Sequence, residues 1–227
     1  MIVAQFITAI VVGYLLGSIP FGVLVGRISS RVDVRDFGSG KTGATNVLRT
    51  SGRKAALLVL LMDVLKGSLA AIFAGIIVGK SVLMVGDVAL EVMVAQSGAA
   101  LAAVAGHIWP VFLKFRGGRG VATFFGGLAV LSLLVAVIGA IIMFSAMALT
   151  RFASVGSIAG AAGTFVVLLP LTLLNGESVA YLAYSLAGAA LVIAMHRDNI
   201  GRLMAGTERR IGQKVALGKG SFKDGDS

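Results

Sequence analysis

Six apolar stretches, at about residues 3–25, 55–78, 92–112, 122–149, 156–174 and 179–195, fill most of this 227-residue chain, and nearly all of its charge lies between them. A helix needs roughly 20 apolar residues to cross a hydrocarbon core of ~30 Å, whereas a membrane strand would show alternation over ~10 residues. The stretches have the helical length. Only 13% of the residues are charged, against roughly a quarter in soluble domains, so no water-facing surface can be built around such helices. An all-α integral membrane protein is expected, solvated largely by lipid. No basic residue precedes the first stretch and no small-residue cleavage site follows it, so it reads as a resident helix rather than a signal peptide. Residues 1–215 read as one polytopic membrane domain and 216–227, small, polar and charged, as a disordered tail.

The fourth stretch is long for one span and short for two. Gly126, Gly127 and Gly139 are candidate breaks in it. Of the 20 Lys and Arg residues, 18 fall in segments 27–54 and 113–121, at Arg151 and after residue 196. Cytoplasmic loops are enriched in these residues. Placing all four clusters in the cytoplasm requires 122–149 to leave and return as two short helices. That gives seven transmembrane helices, an external amino terminus and a cytoplasmic carboxyl terminus. A six-helix alternative puts Arg151 outside. The net charge of +10 fits membrane orientation and attraction of anionic lipid or substrate, not nucleic-acid binding.

Three of the polar segments carry chemistry. Residues 36–49 combine three glycines with Ser39, Lys41, Thr42, Asn46 and Arg49, so exposed backbone N–H groups, hydroxyls and cations can converge on phosphate oxygens. A flexible connector is the plainer alternative. Residues 106–123 contain Gly117-Gly118-Arg119-Gly120 running into an apolar helix, whose amino terminus and Arg119 can address one anion together. In residues 196–208, helical spacing places His196, Asn199 and Arg202 on one face, with Glu208 beyond. His107 near the membrane boundary is a structural hydrogen bonder or a catalyst. Asp63 and Lys66, inside the second span at i,i+3, form an ion pair or belong to a site. Arg151, Ser154 and Ser157 add a cation and two hydroxyls.

Several chemistries are excluded. There is no cysteine for a disulfide, a thiolate metal site or a nucleophile. A Walker A loop ending in Gly40-Lys41-Thr42 needs glycine at position 35, which is Arg35. His-x4-Asp fails at Phe112 and at Gly201, and no Gly-x-Ser-x-Gly elbow or carboxylate-rich metal motif occurs in the loops.

The three segments, with Gly17-Ser18-Ile19-Pro20-Phe21-Gly22, Asp63 to Gly67 and Arg151 to Ser157, resemble the acyl-phosphate-dependent glycerol-3-phosphate acyltransferases, in order from about residue 13 to 210. The resemblance implies transfer of a fatty acyl group from acyl phosphate to the 1-hydroxyl of glycerol 3-phosphate, giving lysophosphatidic acid and phosphate. It implies a monomer in the bacterial inner membrane, active on the cytoplasmic side, with lipid and the two substrates as partners, no nucleic acid and no cofactor or metal. By the same resemblance Ser39, Gly40, Gly43 and Asn46 cradle the donor phosphate, while Arg49, Arg119, Ser154, His196 and Asn199 hold glycerol 3-phosphate. Lys41 and Glu208 complete the binding set, and Ser39, Asn46, Arg119, His196 and Asn199 form the catalytic group. The chain departs from the family pattern at Lys41, commonly Asn, and at Arg119, commonly Lys. A transporter would instead place its binding groups near the bilayer midplane, often in repeated halves, and no internal repeat is visible.

Overall fold

The computed structural model describes residues 1–86 and 88–213, so the expected tail at 216–227 and the domain boundary at 215 lie outside the described residues. Among the described residues ten α-helices run in chain order: α1 (Ile2–Ser18), α2 (Phe21–Ser30), α3 (Ala44–Thr50), α4 (Arg53–Val78), α5 (Val92–Ile108), α6 (Val121–Leu131), α7 (Leu133–Thr150), α8 (Ala153–Asn175), α9 (Val179–Met195) and α10 (Arg197–Met204). Short 3-10 turns occur at Val34–Asp36 and Val111–Leu113. The fold is mostly helical, as expected, with one addition. A small antiparallel hairpin, β1 (Leu83–Val85) with β2 (Val88–Leu90), joins α4 to α5.

Five elements have the length and hydropathy of membrane spans: residues 2–30, which include Pro20 between α1 and α2, then α4, α5 with the turn after it, α7 and α8. A sixth is α9 with α10, bent by 54° at His196. Many apolar side chains of these helices point outward: Ile141 and Leu149 of α7 and Val166 and Leu173 of α8 are all more than half exposed. Such a surface is stable only in lipid.

The long fourth stretch does divide in two. The break falls at Ser132, not at a glycine, and α6, with 11 residues, spans only about 16 Å at 1.5 Å per residue. The three candidate glycines sit inside helices, where they allow close packing. A Cβ on Gly126 would overlap the backbone of Val64 in α4, one on Gly127 would strike Tyr184, and one on Gly139 would strike Thr164. Gly67 of α4 answers Gly126 in kind, since a Cβ there would overlap the Thr123 carbonyl of α6. In the same way Gly13 and Gly17 bring α1 against Ala99 and Ala103 of α5, and Gly106 returns the contact at Tyr14. Small residues give such close approach in membranes, where hydrophobicity alone does not drive helices together.

The core lies between α5, α6, α8 and α9. Phe124 and Tyr184 stack at 5.4 Å between ring centroids, and the Tyr184 hydroxyl donates to the Phe124 carbonyl at 2.8 Å. Chain direction then fixes which helix ends meet. The carboxyl ends of α5, α7 and α9 and the amino ends of α4, α6 and α8 face one cleft, while α1 ends beside Lys66 in the middle of α4. Lys80, the β-hairpin and Glu177 follow the opposite ends.

Candidate active site

The phosphate-loop candidate, residues 37–43, is folded around one side chain. Asn46, in the first turn of α3 and 2% exposed, accepts the Ser39 N–H on Oδ1 at 2.9 Å. Its Nδ2 lies 2.7, 3.1 and 2.9 Å from the carbonyls of Val34, Phe37 and Lys41, three acceptors for two hydrogens. Asn46 therefore shapes the loop with every polar group it has. Gly40 makes the turn possible: its φ of +67° is left-handed, and its N–H closes onto the Phe37 carbonyl at 3.1 Å.

From this loop a cleft of about 570 Å³ opens along the bundle. Ser39, Lys41, Gly43, Asn46 and Arg49 line it from one side, Arg119 from the start of α6, Ser154 from the start of α8, and His196, Asn199 and Glu208 from the carboxyl end. Ten of the eleven residues of the binding set that the resemblance implies thus line one cleft. Gly40 does not line it and serves the loop backbone. A smaller recess of about 140 Å³ adjoins the cleft, bounded by Gly38, Ser39, Arg49, Asn199, Arg202, Glu208 and Arg209.

Electrostatics suit this end of the cleft to an anion. Neither the Arg49 nor the Arg119 guanidinium has an ion-pair partner among the described residues, and Arg119 Nε is buried without a hydrogen bond. Burial, with the charges of Arg209 and Arg202 beside it and Glu208 opposing, pushes Arg49 below the usual arginine range. Arg119 moves the same way, through burial first and then Arg202, again opposed by Glu208. Crowded, partly dehydrated cations of this kind are relieved by a bound anion.

Glu208 is the hub of the third cluster. Ser154 Oγ and Asn199 Nδ2 donate to its Oε1 at 3.0 and 2.6 Å, and Arg202 Nε donates to Oε2 at 2.8 Å. Burial raises its pKa, but those hydrogen bonds and the Arg202 charge outweigh it and hold the carboxyl below the usual range. Asn199 Oδ1 is left buried and unpartnered. His196, at the bend between α9 and α10, has Nδ1 at 2.7 Å from the Val192 carbonyl. A carbonyl only accepts, so Nδ1 carries the hydrogen and the neutral ring keeps its lone pair on Nε2.

A family model described as glycerol-3-phosphate acyltransferase matches residues 7–206. The chain belongs to the glycerol-3-phosphate acyltransferase family. It is 53% identical over 215 residues to glycerol-3-phosphate acyltransferase 3 of Dehalococcoides mccartyi (strain CBDB1), covering 95% of this chain and 100% of that one. It is 40% identical over 207 residues to the glycerol-3-phosphate acyltransferase of Thermoanaerobacter pseudethanolicus, covering 91% and 96%. The crystal structure of PlsY (YgiH), an integral membrane glycerol 3-phosphate acyltransferase, is similar in its glycerol 3-phosphate form, with a TM-score of 0.79, 35% identity and coverage of 91% and 96%. Its lysophosphatidic acid form gives 0.76, 34%, 90% and 94%.

The acyltransferase has features at its site that the sequence did not disclose. Most of the cleft wall is apolar, from Leu57, Leu60 and Leu61 of α4, Phe125 of α6, and Ala136, Val137, Ala140 and Met143 of α7. Asp63 and His107, which the sequence offered as structural or site residues, also reach it. Arg209 bounds the recess, yet in sequence it is one cation among seven in the tail. Asp63 and Lys66 form an ion pair of 2.9 Å, and of the two only Asp63 borders the cleft.

Proposed function

We propose that the acyl donor is acyl phosphate and that the acceptor is the 1-hydroxyl of glycerol 3-phosphate. The observation that carries this reading is the pair of partly buried, unpartnered guanidinium groups at the head of an apolar trough. One end suits phosphate and the other a fatty chain. Ser39, Gly40, Gly43 and Asn46 shape the loop for the donor phosphate, with Lys41 beside it. Arg49, Arg119 and Ser154 take glycerol 3-phosphate, and the free Oδ1 of Asn199 accepts a glycerol hydroxyl hydrogen. Leu57, Leu61, Val137 and Phe144 line the trough and are each about half exposed, so the acyl chain enters sideways from the membrane.

In the reaction the glycerol oxygen attacks the acyl carbonyl carbon, the bond from that carbon to the phosphate oxygen breaks, and inorganic phosphate leaves. The donor is a mixed anhydride and needs no further activation, so positioning and charge stabilisation supply the catalysis. The hydroxyl proton passes to a phosphate oxygen of a substrate, whose second pKa is about 6 by analogy with phosphoserine. His196 is the rival base, and Nε2 is the nitrogen it would use. A His196→Gln variant that binds both substrates normally yet loses turnover would transfer that role to His196.

Topologically, α1, α4, α5, α6, α7, α8 and α9 form seven membrane helices, α6 being a short one. The amino terminus is external, and the site faces the cytoplasm of the bacterial inner membrane, as the Lys and Arg distribution supports. The 1–215 unit works as a monomer, since every proposed substrate contact comes from one chain. Purified protein should release phosphate from palmitoyl phosphate only when glycerol 3-phosphate is present, without acyl-CoA or added metal. Inactivity there, with turnover of acyl-CoA, would overturn the donor assignment. Arg49→Ala should raise KM for glycerol 3-phosphate, and an unchanged KM would remove Arg49 from the site.

A further inference from the structure

Three ionisable side chains lie together at the edge of the cleft, two of them lining it, with no task in the chemistry above. Asp63 and Lys66 of α4 and His107 of α5 are each no more than 4% exposed. Lys66 Nζ is 2.9 Å from Asp63 Oδ1 and 3.2 Å from the Ile19 carbonyl at the end of α1. His107 Nδ1 is 3.5 Å from the same Asp63 oxygen. Charges within the membrane are costly, and glycine contacts already pack α1 against α5. The cluster therefore needs a reason beyond helix packing.

The outer side of His107 supplies one. After α5 ends, the chain turns back so that Gly117 N–H donates to the Ile108 carbonyl at 3.1 Å and Gly118 N–H to the His107 carbonyl at 3.0 Å. A Cβ added to Gly118 would collide with Nε2, Cδ2 and Cε1 of the His107 ring, the three nearest atoms to it. The backbone of Gly118 thus rests on the imidazole. The next residue is Arg119, and α6 begins two residues later.

We infer that the Lys66–Asp63–His107 cluster is a positioning device for Arg119. The ring is the surface that sets Gly118, Asp63 lies against its Nδ1 at 3.5 Å and backs it, and Lys66 neutralises Asp63 while tying the cluster to the end of α1. Misplacing a binding group by about 1 Å can cost on the order of 100-fold in rate, so a rigid seat for Arg119 explains three buried ionisable groups. The inference rests on the placement of Arg119 in the substrate site proposed above.

The test is a double-mutant cycle on kcat/KM for glycerol 3-phosphate, with enough enzyme to follow the Arg119→Ala parent. His107→Ala should cost at least about tenfold in the wild-type background and less than about twofold in Arg119→Ala. Equal losses in both backgrounds would show a general structural role and overturn the inference. If Arg119→Ala alone changes nothing, the site assignment falls instead. Asp63→Asn, close to isosteric, goes through the same cycle with the same expectation, so the result does not depend on His107→Ala folding. A second arm uses the collision itself. Gly118→Ala should impair turnover, and adding His107→Ala should recover at least part of it, because the nearest obstructing atoms belong to the ring; no recovery counts against the seat.

Discussion

Asn199 donates to Glu208 Oε1 at 2.6 Å, and that one carboxylate also holds Ser154 and Arg202. Glu208 therefore ties the start of α8, α10 and the segment after it into one wall of the recess. Replacing it with glutamine puts an amide donor among three donors. Glu208→Gln should lower kcat/KM by about 10–100-fold, the equivalent of ~1.5–3 kcal/mol for a hydrogen bond to a charged group. Steady-state kinetics check this, and a change within twofold would mean the hub is dispensable.

The Asp33 carboxylate joins α2 to the turn that precedes the candidate phosphate loop. Arg35 donates to it from N, Nε and Nη2 at 3.0, 2.9 and 2.7 Å, and Arg27 from Nη2 at 3.1 Å. The Arg35 side chain chiefly, against a smaller effect of burial, holds its pKa well below the usual carboxylate range. A depressed native pKa gives stability that is complete above the unfolded value of about 3.9 and is lost as pH falls through the native one. The Tm deficit of Asp33→Asn should therefore be the same at pH 8 and pH 5 and shrink only below about pH 4. The deficit itself should be modest, since the pair is only partly buried and its Arg27 partner is exposed. Shrinkage already evident between pH 7 and 5 would contradict the assignment.

The polar clusters were legible in the sequence because charge and glycine are conspicuous in an apolar chain, and their Lys and Arg content put them on one membrane face. The apolar wall was not. Ala140, which lines the trough, and Ile141, which faces outward, are both ordinary letters in a lipid-facing helix, and only the placement of α7 against α8 distinguishes them. Glycine was misleading in the fourth stretch for a related reason. In water it marks turns, but here Gly126 and Gly139 serve helix contact, and the chain breaks at Ser132. Asn46 was legible as a site residue, while its work as the clamp of its own loop needed the fold.

Helix contact by glycine predicts opposite outcomes at two positions. Gly126→Ala forces a Cβ into the Val64 backbone, so α4 and α6 must separate. Overpacking of this kind costs roughly 1–3 kcal/mol or more. Gly201 of α10 has nothing within 4 Å of an added Cβ, and Gly201→Ala should be neutral or stabilising by up to about 1 kcal/mol. Thermal unfolding in detergent reads both, and a Gly126→Ala protein as stable as the parent would refute the close contact.

Acyl-chain preference should be set by α7. Residues 133, 136, 137, 140, 143, 144 and 147 recur at helical spacing along the trough, and Ala136 and Ala140 are the small ones among them. Ala140 lies 11 residues before Arg151, about 16 Å along the helix from the polar end at 1.5 Å per residue. A long chain passes that depth and a short one stops before it. Each methylene that is denied burial loses ~0.8 kcal/mol, so Ala140→Phe should reduce kcat/KM for palmitoyl phosphate at least about tenfold more than for an octanoyl donor. Ile141→Phe, on the outward face, should leave the ratio unchanged. If both substitutions shift the ratio equally, the chain does not run along this face of α7.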